Sequence, residues 1–164
     1  MASLYGLEIR ERKEQKGHEG EVVYSGDLFL HGEYLGSWKE DLTGGPVTYG
    51  FDISLVESIV KRYAKDSKRE FYDLPMSSIL ACLLWELNNM INTENRVTEF
   101  LQAGYKCVIL VTDGCYYIWT PSMEEPSIAM EKNKDAIEQS KQYLSSGKEA
   151  KVQLYASLSD FIIE

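Results

Sequence analysis

Histidine and cysteine are scarce in this chain, two and three respectively among 164 residues. His18 lies in a charged, glycine-containing stretch and His31 precedes Gly32 in a turn pattern, so histidine acid–base catalysis has few candidates. Cys82, Cys107 and Cys115 form an odd set with no CxxC pair and no histidine at ligand spacing. That pattern argues against a disulfide framework or structural zinc and for reduced thiols. A nucleophilic cysteine needs a basic neighbour, whereas Cys115 follows Asp113, and it reads as a small sheet filler. Neither GxxxxGK[ST] nor GxGxxG occurs, and Ser146-Gly147-Lys148 reads as a helix C-cap with a dipole-favourable lysine. The longest nearly apolar run, Ile79 to Trp85, is stopped by Glu86, far short of the roughly 20 residues of a membrane span. Charge appears within a few residues of Met1 and no apolar signal region builds up, so no membrane association and a cytoplasmic location are expected.

What the chain does have is acid. Asp and Glu number 26 against 17 Lys and Arg, a formal charge of −9, which opposes nonspecific contact with phosphate backbones. A hydrophobic fraction of 44%, with 12% aromatic, exceeds that of a disordered acidic tail. The expectation is a single globular domain over residues 1–164, long enough for one core.

Patterning along the chain predicts an α+β fold. A strand over Leu4 to Ile9 is followed by the charged stretch Arg10 to Gly20, read as a solvated loop. Short β-prone runs follow at Val22–Tyr24, Asp27–Trp38 and Val47–Phe51. His31-Gly32 is a two-residue hairpin turn that sets Leu30 against Glu33, Phe29 against Tyr34 and Leu28 against Leu35. An antiparallel meander is the simplest topology. Asp52 or Ser54 can cap a helix running to about Ser67, with Val56, Ile59, Val60 and Tyr63 as its core stripe. Pro75, with Asp73 as a cap, opens a second, largely apolar helix from Met76 to Ile91, and Thr93 caps a third from Glu94 to Gln102. Asp113-Gly114 joins two β-prone runs, Lys106–Thr112 and Cys115–Thr120, into a central hairpin that pairs Leu110 with Tyr117 and Ile109 with Ile118. That register points Cys107 and Cys115 to opposite faces. A short apolar piece, Ile128 to Met130, precedes a helix near Asn133 to Ser146 with Ala136, Ile137, Ser140, Tyr143 and Leu144 inward and Gly147 at its end. Lys151–Tyr155 closes the sheet, and Ser157–Glu164 forms a terminal helix or strand. The architecture expected is an antiparallel sheet packed against a layer of about four helices.

Candidate binding residues fall into two groups. Glu40-Asp41 and Glu124-Glu125 are paired acids in polar loops, read as solvated charge with metal coordination as the alternative; no metal or other cofactor is assigned. Lys61, Arg62, Lys65, Lys68 and Arg69 hold five of the 17 basic residues. At about 100° per residue they form a stripe of roughly 120° behind the apolar one. Lysines near a helix C-terminus favour the macrodipole and solvate the outer face. The alternative is a contact with phosphate or with an acidic protein surface.

The run Gly26-Asp-Leu-Phe-Leu-His-Gly-Glu-Tyr-Leu-Gly-Ser-Trp-Lys-Glu-Asp-Leu-Thr-Gly-Gly-Pro46 resembles a pattern in small proteins of phages and mobile elements, a group that includes anti-CRISPR inhibitors of host defence enzymes. The resemblance carries no catalytic residues. It implies a non-enzymatic inhibitor whose acidic surface occupies a basic site on a nucleic-acid-handling protein. Two other readings stay open: a metal-dependent hydrolase or transferase acting on nucleotides or nucleic acid, and a homo-oligomeric module associating through Tyr117 and Trp119. A protein partner is expected, with direct nucleic-acid contact through the basic helix as the alternative.

Overall fold

In the computed structural model, residues 1–67, 71, 73–113, 116–144 and 150–164 are described, and the fold is α+β. The chain runs β1 (Ser3–Leu4), β2 (Leu7–Lys16), β3 (Val22–Leu30), β4 (Glu33–Lys39), β5 (Thr48–Tyr49), α1 (Glu57–Asp66) and α2 (Met76–Gln102). There follow β6 (Cys107–Thr112), β7 (Tyr117–Ser122), α3 (Pro126–Lys132), α4 (Lys134–Leu144), β8 (Lys151–Tyr155) and β9 (Ile162–Ile163). Two sheets form, one of six strands in the order β5-β4-β3-β2-β1-β9 and one of three in the order β7-β6-β8. All pairings are antiparallel except β1 with β9. Contacts gather the chain into two units: residues 1–91 with 162–164, and residues 92–161. No helix among the described residues is long and apolar enough to cross a membrane.

In the first unit, the charged stretch expected as a loop is strand as far as Lys16. The stretch is held by its ladder to β3, where Lys13 faces Ser25 and Lys16 faces Val22, and part of its charge is compensated along the strand. Residues i and i+2 share a face, and Arg10 meets Glu8 at 2.9 Å while Arg12 meets Glu14 at 2.7 Å. An extra residue interrupts the ladder between Arg10 and Lys13, with Glu11 at φ 49°, as in a β-bulge. Past it, Arg12 donates to the Asn88 carbonyl at 3.4 Å, tying β2 to α2. His31 and Gly32 make the expected turn, at φ 50° and 84°, and set Leu30 against Glu33 and Phe29 against Tyr34. Beyond them Leu28 faces Gly36 instead of Leu35, because a second bulge inserts one residue in β4.

Asp52 Oδ1 accepts from the Ser54 N–H at 2.9 Å and opens the 3₁₀ turn that leads into α1. Val56, Ile59, Val60 and Tyr63 are buried, as their spacing predicts. Tyr63 donates to Glu86 and Tyr49 to the Ser77 carbonyl, both at 2.9 Å, fastening α1 and β5 to the start of α2. Leu80, Leu83, Leu84 and Leu87 are buried along that helix. The separate helix capped by Thr93 does not form, since α2 continues unbroken to Gln102. Its polar residues bond backward instead of capping: Asn88 donates to the Leu84 carbonyl and Thr98 to that of Glu94.

In the second unit β6 is the central strand. Cys107, Ile109 and Val111 point into a cluster with Ala129 of α3 and Ile137 and Leu144 of α4. The hairpin forms, but two residues out of the expected register: Leu110 faces Trp119 and Val111 faces Ile118. Asp113 precedes the turn, its carboxylate accepting from the Tyr116 N–H at 2.7 Å. A slip of two leaves every side chain on its expected face. Gly114 and Cys115, and with them the expected orientation of Cys115, lie outside the described residues, as does the C-cap expected at Gly147. Pro126 starts a full helix where only a short apolar piece was expected. On α4 the inward face is narrower than predicted: Ile137 and Leu144 are buried, whereas Ala136 is exposed and Tyr143 is 84% exposed. The other face of the small sheet is aromatic. Tyr155 stacks on Phe161 at 4.5 Å, Phe100 lies 6.4 Å from Trp119, and Tyr117 is exposed.

Candidate functional site

The paired acids Glu40 and Asp41 follow β4 and belong to the first unit. Glu40 extends the ladder twice over, its N–H donating to the Tyr24 carbonyl at 3.0 Å and its carboxylate accepting from the Tyr24 N–H at 2.6 Å. Burial raises its pKa, and the Tyr24 N–H opposes that only in part. Asp41 is shifted the other way, held down by the N–H and hydroxyl of Thr43, each at 2.8 Å, with Lys39 adding to the effect. The two acids, adjacent in sequence, therefore differ in character: one is part of the backbone ladder, the other a fixed anion at a turn.

Two further carboxylates, which sequence reasoning missed, join them. The His18 N–H donates to the Leu42 carbonyl at 2.7 Å, so the β2–β3 loop lies beside the loop after β4. Within it Gly17 donates to the Glu21 carbonyl and the Glu21 carboxylate accepts from the Glu19 N–H at 2.9 Å. A Cβ at Gly17 would stand 2.2 Å from Glu21 Oε1, so a side chain there would displace the folded-back carboxylate. Glu19, Glu21, Glu40 and Asp41 thus gather at one end of the larger sheet. The available signal was Gly17 and Gly20 bracketing the loop, which reads as a strand-to-strand turn once Arg10–Lys16 is recognised as strand.

Glu40→Gln tests the electrostatics of that end. The folded-state pKa of Glu40 lies above its unfolded value, so the stability it contributes is complete below the unfolded carboxyl range and is lost as pH rises through the folded pKa. Gln keeps an oxygen for the Tyr24 N–H without the charge. Denaturant midpoints are expected to show the variant at least as stable as the parent at neutral pH, with the advantage gone in mild acid. A variant less stable at neutral pH would mean that the charge itself holds the loop.

Glu124 and Glu125 lie in the second unit, before α3, and each has a lysine partner. Glu124 pairs with Lys132, which lowers its pKa, and Glu125 pairs with Lys106 at 2.5 Å, which raises the lysine's pKa. Exposed pairs of this kind steer and solubilise more than they stabilise. Among the described residues no group of three or more His, Cys, Asp or Glu side chains is placed to hold a metal ion.

The basic stripe is partly neutralised within the helix. Lys61 meets Glu57 at 2.6 Å and Arg62 meets Asp66 at 3.6 Å, while Lys65 is exposed. Lys68 and Arg69 lie outside the described residues. Arg62 points toward an open cleft of about 540 Å³ bordered by Ser3, Tyr5, His31, Ser58 and Glu164. Its guanidinium stacks 4.5 Å over the Tyr5 ring and donates to the Glu164 carbonyl at 2.6 Å. Tyr5 in turn donates to Asp66 at 3.2 Å, and burial followed by that carboxylate raises its pKa. His31 lies over Gly6, where a Cβ would come within 2.2 Å of the imidazole. The cleft's cation is thus engaged inside the chain, closing a strand-and-helix junction. Comparison of the chain with protein-family models, curated proteins and solved structures returns no match.

Proposed function

We propose that the chain is a non-enzymatic acidic binding protein, which engages a basic protein surface through the carboxylates gathered around Glu19, Glu21, Glu40 and Asp41. The observation that carries this reading is how the charge is placed. The chain carries a net charge of −9, and the His18 N–H, donating to the Leu42 carbonyl at 2.7 Å, sets the loop of Glu19 and Glu21 beside that of Glu40 and Asp41. Part of that excess is concentrated where two loops are locked side by side. A surface of this kind steers toward a basic groove and rejects polyanions. The segment that resembles phage and mobile-element proteins, Gly26–Pro46, ends in this same loop. The partner expected on that ground is a nucleic-acid-handling defence protein, inhibited by occupation of its basic site.

The test is capture of proteins at low and moderate salt, identification of what is retained, and titration with the purified partner. Affinity is expected to fall as salt rises. Glu19→Lys with Asp41→Asn should weaken binding several-fold, whereas Glu124→Gln with Glu125→Gln reports on the second acidic pair. Salt-independent binding, or binding unchanged in all four substitutions, would overturn the reading.

A further inference from the structure

The register of the larger sheet sorts its side chains by face. Leu7, Ile9, Leu28 and Trp38 are buried on one side. On the other, Phe29 has Glu8 and Tyr34 directly across from it in the neighbouring strands. Further along β3, Asp27 stands opposite Arg10, and Ser25 is flanked by Lys13 and Lys39. The bulge in β4 puts Tyr34 and Ser37 on this same face, and the bulge in β2 does so for Arg10 and Lys13. Three cations therefore stand against two carboxylates here, in a chain whose overall charge is −9.

The aromatic part of the face is prepared for stacking. The Arg10 guanidinium lies 4.1 Å over the Phe29 ring and is held there by Glu8 through two hydrogen bonds, at 3.2 and 2.9 Å. Tyr34 meets Phe29 edge-on, 5.4 Å between centroids, and stays 59% exposed. Lys13 and Lys39 are exposed about four residues along the strand from the aromatic pair, roughly 13 Å away, the reach of a short run of nucleotides. An open antiparallel sheet face that combines aromatic rings, a planar guanidinium and flanking lysines matches the needs of unpaired bases on a phosphate backbone.

We propose that this face binds single-stranded nucleic acid. One base stacks on the Tyr34 ring and its neighbour on the Arg10 guanidinium backed by Phe29, while Lys13 and Lys39 contact phosphates. This surface is separate from the stripe on α1 and borders the carboxylates at the loop end, where Lys39 acts on Asp41. Binding is weak and confined to low salt, because the rest of the chain repels polyanions.

Fluorescence anisotropy with a short labelled oligodeoxythymidylate tests it at low salt. Tyr34→Ala is expected to weaken binding about tenfold, within the range for loss of one stacked base, while Tyr34→Phe keeps it. Lys13→Gln with Lys39→Gln should flatten the dependence of log affinity on log salt by about 1.4, at about 0.7 per phosphate contact. Lys65→Gln on α1 should leave affinity unchanged. Circular dichroism confirms that each variant is folded. The proposal is overturned if the parent binds no oligonucleotide, if duplex DNA binds equally well, or if Lys65→Gln abolishes binding while Tyr34→Ala does not. Glu19→Lys with Asp41→Asn, which disables the acidic end, retains oligonucleotide binding, so failure of the protein-partner reading shows up separately.

Discussion

Gly36→Ala should destabilise the chain by about 2–4 kcal/mol, combining backbone strain with overpacking. Gly36 sits at φ 151°, a region that side-chain-bearing residues rarely enter. A Cβ there would lie 2.8 Å from the Gly50 carbonyl oxygen and 2.9 Å from Phe51 Cβ, neither of which can rotate away. Gly50 is pressed from the other side, donating to the Ser37 carbonyl at 2.8 Å with room for no Cβ beside Ser37 Oγ. The two glycines let the segment after β5 close on β4, where Trp38 faces Tyr49. Gly32→Ala is the control: its φ is 84°, but nothing lies within 4 Å of the added carbon, so only the conformational cost of about 1 kcal/mol remains. Urea midpoints of the two variants separate space from conformation. Equal losses would show that the close approach of β4 to Gly50 contributes nothing. Because the Gly36 bulge also brings Tyr34 and Ser37 to one face, the same substitution should impair oligonucleotide binding.

What could be read from sequence follows from how local each cause is. The His31-Gly32 turn and the Val56–Tyr63 stripe are fixed by residues within a few positions of one another, and both form as read. The bulges at Glu11 and Gly36 depend on the partner strand, and a single inserted residue leaves no periodic trace. Asp113 shows how one residue can serve a turn in two ways: its composition suggested a place within the loop, but its carboxylate accepts from the Tyr116 N–H and sets it before the loop. Charge misled over Arg10–Lys16, where pairing with β3 makes a strand of a stretch that composition alone assigns to solvent. The same split applies to function. Glu40 and Asp41 were visible as a polar pair, whereas Glu19 and Glu21 reach them only through the His18–Leu42 hydrogen bond. Lys13 and Lys39, 26 positions apart in the numbering, become neighbours only across Ser25. Such juxtapositions belong to register, which one sequence does not display.

Register also decides the outcome for Ile109. It is fully buried, faces Thr120 and Leu154 in the flanking strands, and points into the cluster with Ala129, Ile137 and Leu144. Ile109→Ala removes three carbons from a site closed on both flanks, so the surroundings relax little and the expected cost is about 2–5 kcal/mol; Ile109→Val should cost about 0.5–1.5 kcal/mol. Tyr143, a larger side chain on α4, is 84% exposed, and Tyr143→Ala should change stability by less than about 0.5 kcal/mol. Chemical denaturation followed by far-ultraviolet circular dichroism measures all three. A comparable loss at Tyr143 would return it to the inner face that helical spacing first assigned to it, and would require α4 to be rotated about its axis. The expected hierarchy, Ile109→Ala well above Ile109→Val and both above Tyr143→Ala, instead follows if α4 contributes only its Ile137–Leu144 edge. That narrow stripe is sufficient because β6 supplies apolar side chains of its own, Cys107, Ile109 and Val111, to the same cluster.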